Sequence, residues 1–196
     1  IPPVERRHPR KFDPSRAGNL DRPERQRYLP NDRVLDLLDL SGDEAVVDYG
    51  AGTGTLTIPL AHRLPRGTVH AIDENPQMIE RLRERLAAEH LPNVSVHHIS
   101  DDAVPLPDGS ADRILAVNLL HELEEKALRE MQRLLTPSGF LLVVDWNAEV
   151  ERDAGPPADE ALSPEQGRAF LASAGFSCQT LDAGFPYHFV FRCPRP

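Results

Sequence analysis

Residues 46–61 read VVDYGAGTGTLTIPLA: a carboxylate, Asp48, followed by glycines at alternate positions, Gly50, Gly52 and Gly54, with Ala51 between the first two. Glycine lets the backbone take φ > 0 and lets a ligand come within contact distance of peptide groups. The N–H groups opening the following helix point at whatever lies there. A dinucleotide uses such a turn for its pyrophosphate, with the spacing G-x-G-x-x-G. Here the third glycine comes one residue early, and Asp48 would repel a pyrophosphate while suiting a ligand with a cationic amino group. Downstream, His121, Asp145 and His188 supply groups able to move a proton, with histidine the natural base near neutral pH.

Alternating strands and helices position these residues. EAVVD is a short buried strand ending at Asp48; GTVHAID ends at Asp73; VSVHHI, ADRILAVN and GFLLVVDW follow, the last two ending near Asn118 and at Asp145. Between them lie helices from about Thr55 to Arg63, over NPQMIERLRERLAAE with Asn75 as cap and Pro76 at its first position, and over HELEEKALREMQRLL. SPEQGRAFLASAG is a capped helix, and FSCQTLD with YHFVFRC forms a closing hairpin. The pattern predicts an α/β fold: a doubly wound, mostly parallel seven-stranded sheet with an antiparallel C-terminal edge hairpin. Residues 1–33 read as an N-terminal arm or lid, with a helix from about Asp21 to Tyr28 capped by Asp21, and residues 34–196 as a single domain. In such sheets ligands gather at the carboxyl ends of the strands. One rim should therefore hold Gly50–Gly54, Asp73, the residues after Ile99, Asn118–Glu122, Asp145–Asn147 and the tip 184–188.

Charge is unevenly spread over the 196 residues: the arm has nine Lys/Arg against five Asp/Glu, net +4, and the remainder thirteen against twenty-six, net −13. An acidic body is poorly suited to neutralising phosphates along a duplex, so no nucleic-acid partner is expected. No apolar run reaches the ~18 residues of a membrane span. Cys178 and Cys193 make neither a disulfide framework nor a metal-site spacing and read as reduced thiols of a cytoplasmic protein, a monomer or homodimer. The pair His97 and His98 alternates faces of a strand, so no metal site is expected there.

The motif set resembles the class I S-adenosylmethionine-dependent methyltransferases, over roughly residues 34–193. VVDYGAGTG is similar to their first motif, D/E-x-G-x-G-x-G, and TVHAIDENPQMIERLRER to their second. PLPDGSADRILAVNLLHELEEKALREMQRLLTPSGFLLVVDW is similar to strands four and five of the branch holding the ubiquinone/menaquinone biosynthesis methyltransferases. The resemblance implies S-adenosyl-L-methionine as cofactor. It places Asp48 and the turn Gly50–Gly54 against the methionyl end, and Asp73 against the ribose, where one carboxylate can accept two hydroxyl hydrogen bonds. Glu74 stands where the family usually has an apolar residue under the adenine, and Met78 supplies packing there. The adenine-amino position falls on Ser100, Asp101 or Asp102, and Asn118 lies beside the transferred methyl.

The implied activity is methyl transfer to a small-molecule acceptor by in-line displacement, in which positioning is the main lever. A general base is needed only if the acceptor must lose a proton; His121, Asp145 and His188 are the candidates, with Tyr28 or Tyr187 orienting the acceptor. Asn118-Leu119-Leu120-His121 lacks the [D/N]-P-P-[Y/F] motif of enzymes that methylate amino groups of bases or glutamine. Two other readings are a cofactor-binding module without catalysis and a nicotinamide-dependent oxidoreductase.

Overall fold

Val46, Val47 and Asp48 are all buried, although strand alternation sends them to opposite faces. Both faces of their strand must therefore be covered. In the computed structural model, which describes residues 10–196, they are. The first nine residues of the arm lie outside the described residues. Two short helices, α1 (Arg25–Tyr28) and α2 (Asn31–Asp36), precede β1 (Ala45–Tyr49). Then come α3 (Thr57–His62), β2 (Thr68–Asp73), α4 (Pro76–Glu89), β3 (Val94–His98), β4 (Ala111–Val117), α5 (Glu125–Leu134) and β5 (Leu135–Trp146). The chain ends with α6 (Pro164–Ser173), β6 (Gln179–Thr180) and β7 (His188–Pro194).

The seven strands lie in the order β3-β2-β1-β4-β5-β7-β6, parallel through β5, with β7 antiparallel to both neighbours. The order reverses between β1 and β4, and their pairing in register, Asp48 opposite Leu115, opens a crevice at the carboxyl edge. Apolar side chains of one parity (Val47, Ile114, Ala116, Leu141, Val143) pack under α5 and α6. Those of the other parity (Val46, Leu115, Leu142, Val144) pack under α2 and α3. The doubly wound sheet expected from the alternation is the one observed. No helix among the described residues is long and apolar enough to cross a membrane.

Local chemistry fixes the helix starts nearest the crevice. Asn75 caps α4, its Oδ1 accepting from the N–H groups of Gln77 and Met78 ahead of Pro76. Ile79 and Leu82 of that helix are buried as its apolar stripe requires. Ser163 and Gln166 close a reciprocal cap on α6.

Three local expectations are corrected. The helix from Asp21 shrinks to Arg25–Tyr28, because the Asp21 carboxylate accepts from Thr53, Thr55 and Arg85 instead of capping its own turn. The helix read from His121 begins at Glu125; His121 and Glu122 sit in a 3-10 turn, Leu120–Glu122, held by a hydrogen bond from His121 N to Asp145. Cys178 and Cys193, read as reduced thiols, are joined in a disulfide, since pairing Gln179 with Arg192 brings the residues on either side face to face.

Candidate active site

A cavity of about 850 Å³ opens at the carboxyl ends of β1, β2, β4 and β5. That volume lies in the range of small-ligand sites. Arm residues, among them Phe12, Leu20, Arg25 and Tyr28, form one wall.

The end of β1 places Asp48 in the cavity lining with one oxygen, Oδ2, accepting from Thr57 at 2.6 Å. Burial pushes its carboxyl up to about 6, against the opposing effects of the Thr57 hydrogen bond and the Arg25 charge. Its other oxygen has no protein partner among the described residues. Asp73 ends β2, accepting from Gly52 N through Oδ2 and from Asn75 N through Oδ1, each at 2.8 Å. Burial raises the Asp73 carboxyl, and the two N–H donors act against it. Each Asp73 oxygen keeps a further lone pair for a ligand.

The glycines divide in role. Gly50 and Gly52 line the cavity, as does Ala51. Gly54 does not: at φ +88 a Cβ there would stand 2.5 Å from Leu82 Cδ1, so it serves the packing of α4 on the turn. Met78 is buried and lines the same wall as Glu74, whose carboxylate pairs with Lys11 at 2.6 Å.

The three candidates after β3 separate. Ser100 is exposed, outside the cavity lining, and bridges its own loop to Ala103. Asp101 lines the rim with its side chain 95% exposed and paired with Lys126. Asp102, 18% exposed, turns inward and accepts from the Tyr49 hydroxyl at 3.4 Å.

Beyond the end of β4, Asn118 lines the cavity at φ +54, a left-handed conformation that Asn tolerates better than most side chains. Its Oδ1 lies 2.9 Å from Nε2 of His188. His188 stands one layer back, outside the lining, between Trp146 at 4.2 Å and Tyr28 at 6.1 Å between ring centroids. Burial drives the His188 imidazole down to about 3, so it is neutral. Asp145 is also set back and fully buried. Its carboxylate lies against His121, which does line the cavity: Nδ1 is 2.9 Å from Oδ1, and His121 N donates to Oδ2 at 2.8 Å. Burial is the largest single effect on the His121 pKa and lowers it, but the Asp145 charge, the hydrogen bond to Asp145 and the Glu122 charge together outweigh it and the net direction is upward. Glu122, 3.6 Å from Nε2 of His121, is pushed up by burial to about 7 and accepts from Phe12 N. Of the sequence-derived base candidates, then, only His121 reaches the cavity. Asp145 lies behind it at hydrogen-bond distance, and His188 lies behind Asn118.

Sequence reasoning missed Arg25 and Asp21. Arg25 is 6% exposed in the cavity wall, and its guanidinium donates to Asn31 Oδ1 with no carboxylate of the described residues within ion-pair distance. An arginine in a basic arm reads as solvated, and no local signal distinguishes one that turns inward.

The fold and the glycine-acid turn define a doubly wound α/β protein with a small-ligand cavity at the switch point of its sheet, and similarity to known proteins makes that class specific. A family model described as a methyltransferase domain matches residues 46–139. The crystal structure of an S-adenosylmethionine-dependent methyltransferase from Aquifex aeolicus superposes with a TM-score of 0.87 at 32% identity, covering 93% of this chain and 98% of that one. A ubiquinone/menaquinone biosynthesis C-methyltransferase of Shewanella frigidimarina is 37% identical over 106 residues, 52% of this chain and 42% of the relative. A probable ribosomal RNA small subunit methyltransferase A of Methanosphaera stadtmanae is 31% identical over 108 residues, 53% and 38% of the two chains. The chain belongs to the S-adenosylmethionine-dependent methyltransferases. It spans little more than half the length of the first curated relatives it matches, 58% and 53%. Because an RNA methyltransferase stands among its relatives, family membership leaves the class of acceptor open.

Proposed function

We propose that the protein transfers a methyl group from S-adenosyl-L-methionine to a small-molecule acceptor held in this cavity. One observation carries the reading. One cavity brings together Asp48 and Arg25, opposite charges beside the Gly50–Gly52 turn, and Asn118, His121 and Trp146 from beyond β4 and β5. The part of the cavity around Asp48 and Arg25 fits the cofactor. Asp48 has a free oxygen for an ammonium group. Arg25, buried without a carboxylate partner among the described residues, is the complement of a carboxylate. Together they match the amino-acid end of the molecule. Asp73 retains a lone pair on each oxygen for the ribose hydroxyls. Met78 packs the base, and Asp102, inward-facing, suits its amino group better than Ser100 or Asp101. When bound, S-adenosylmethionine supplies a methyl group made electrophilic by its sulfonium.

What this chain contributes is placement and exclusion of water. The arm acts as a lid: Asp21 grips Thr53 and Thr55 of the glycine turn, and Phe12 N reaches Glu122. The acidic body, net −13 over residues 34–196, supports a small acceptor over a nucleic acid.

Calorimetric titration with S-adenosylhomocysteine and with NAD tests the cofactor assignment, and transfer of labelled methyl to a panel of quinols, phenols, amines and thiols tests catalysis. Binding of S-adenosylhomocysteine and label in one acceptor class are expected. Binding of NAD in its place would end the methyltransferase reading.

A further inference from the structure

On the proposed function, the acceptor lies against the part of the cavity lined by Asn118, His121 and Trp146. Asn118 lines it, but its carbonyl oxygen is already engaged. Neutral His188 has one ring proton, and with Oδ1 of Asn118 2.9 Å from Nε2, that proton sits on Nε2 and is donated to Asn118. Nδ1 of His188 is buried with no partner, which a bare acceptor tolerates better than an N–H would. The amide of Asn118 is thereby fixed with Nδ2 free, since no residue among those described accepts from it. Asn118 itself presents N–H donors and no free acceptor at this point; the acceptors of the lining include His121 Nε2 and the Glu122 carboxylate. An oxygen bearing lone pairs satisfies those donors. An amine nitrogen has a single lone pair, which its attack on the methyl carbon uses, so it cannot also accept from Asn118.

A few residues on, His121 donates from Nδ1 to the Asp145 carboxylate, whose other oxygen holds the His121 backbone N–H. The ring is thus oriented with Nε2 as the basic nitrogen. A carboxylate acceptor is already ionised near neutral pH and would leave this pair without use. A hydroxyl must lose its proton and would use it. Finally, Trp146 and Tyr28 both contribute ring surface to the cavity lining, the two rings packed against each other with centroids 5.7 Å apart. Such ring surface favours a flat aromatic partner.

We propose, resting on the methyltransferase reading above, that the acceptor is a planar aromatic compound methylated on a phenolic oxygen, with Asn118 Nδ2 donating to that oxygen and His121 Nε2 receiving its proton. The acceptor oxygen forms its bond to the methyl carbon as the carbon–sulfur bond breaks. The bonding pair stays on sulfur and cancels the sulfonium charge, and the hydroxyl proton passes to His121. His188 is a positioning residue that sets the amide.

The optical probe 4-nitrocatechol, whose phenolate absorbs apart from its phenol, tests this with the full chain and S-adenosylhomocysteine. The expected result is binding with the spectrum of the ionised form at a pH where the free probe is still protonated. His121→Gln should retain binding and lose the ionised spectrum. Asn118→Asp, which puts a carboxylate where the N–H donors were, should weaken binding about tenfold or more. His188→Phe should weaken it too, because the amide is then free to turn. With the labelled donor, the methyl should appear on oxygen of catechols and phenols and not on anilines, aryl thiols or benzoates. A protein that binds S-adenosylhomocysteine but not the probe, or that binds the probe un-ionised, overturns the inference and leaves the methyltransferase reading intact. So does label on ring carbon, nitrogen or sulfur. Failure to bind S-adenosylhomocysteine overturns both.

Discussion

The backbone N–H of Gly52 donates to Oδ2 of Asp73 at 2.8 Å, so the acid that ends β2 is tied to the glycine turn that follows β1. The two motifs assigned to the cofactor are therefore one unit, and each holds the other in place. Asp73→Ala should weaken S-adenosylhomocysteine binding by about 1–3 kcal/mol, the usual loss for hydrogen bonds to a charged group. It also leaves the N–H groups of Gly52 and Asn75 without their acceptor. Asp73→Asn keeps one acceptor oxygen and should lose less stability for a comparable loss of affinity. Calorimetry on both variants, with their melting temperatures, separates the two effects. Unchanged affinity in Asp73→Ala would remove the ribose assignment.

Asp48 should destabilise the cofactor-free protein above pH 6. Burial raises its folded pKa from 3.8 to about 6, so folding favours the protonated form. Its contribution to stability is neutral below the unfolded value, turns unfavourable as pH rises through that window, and is constant above the folded value. A shift of that size corresponds to about 2–3 kcal/mol. Asp48→Asn should therefore melt higher than the parent at pH 8, with the difference fading near pH 4, while binding S-adenosylhomocysteine more weakly at pH 8. Thermal melts across that range, without cofactor, check the sign. A variant that melts lower at pH 8 would show that the Thr57 hydrogen bond outweighs burial.

Much of this was legible in the chain. The alternation of strand and helix gave the sheet, because parallel strands buried on both faces read as short apolar runs such as EAVVD. Asp48 and Asp73 were legible because each ends such a run. What escaped depends on tertiary direction. Asp21 satisfies every local rule for a helix cap, yet Thr53, Thr55 and Arg85 offer its carboxylate three partners. His188 and Asp145 sit on the predicted rim, but a strand end fixes only a position, and here Asn118 and His121 stand between them and the cavity. The disulfide was missed because two cysteines fifteen residues apart carry no pairing signal until β6 and β7 are in register.

Asp21 should act as the clasp of the arm. It accepts from Thr55 Oγ1 at 2.6 Å, from Thr53 Oγ1 at 3.0 Å and from Arg85 at 3.0 Å, tying residues before α1 to the turn that holds the cofactor. Because the site is partly exposed, each contact is worth about 1 kcal/mol or less. Asp21→Ala should leave the melting temperature within a few degrees of the parent and speed release of S-adenosylhomocysteine by roughly three- to tenfold. Limited proteolysis should then cut within residues 10–24 faster than in the parent, with bound S-adenosylhomocysteine protecting less. Unaltered release and cleavage would show that the arm is held by other contacts, such as Lys11 with Glu74.

The pH profile of turnover should follow His121, and Asp145 should set where it lies. Burial alone lowers the pKa of His121. Asp145 from β5 opposes this through charge and hydrogen bond, Glu122 beside it acts in the same upward sense, and Arg152 from the loop after β5 acts downward. The net direction is upward from 6.5, so folding favours the imidazolium. The stability this confers is fully present below the unfolded pKa and is lost as pH rises through the folded one. Turnover needs the neutral ring, so kcat should rise with pH across that same titration and then level off. In Asp145→Asn the carboxylate is gone and burial prevails, which moves the rising limb to lower pH. The plateau should fall by about a hundredfold or more, the usual scale for an impaired general base, while S-adenosylhomocysteine affinity stays the same. Proton NMR titration of the His121 ring reports the pKa independently of turnover. A lowered ring pKa with an unchanged plateau would mean that the pair orders the 3-10 turn at Leu120–Glu122 and takes no proton from the acceptor.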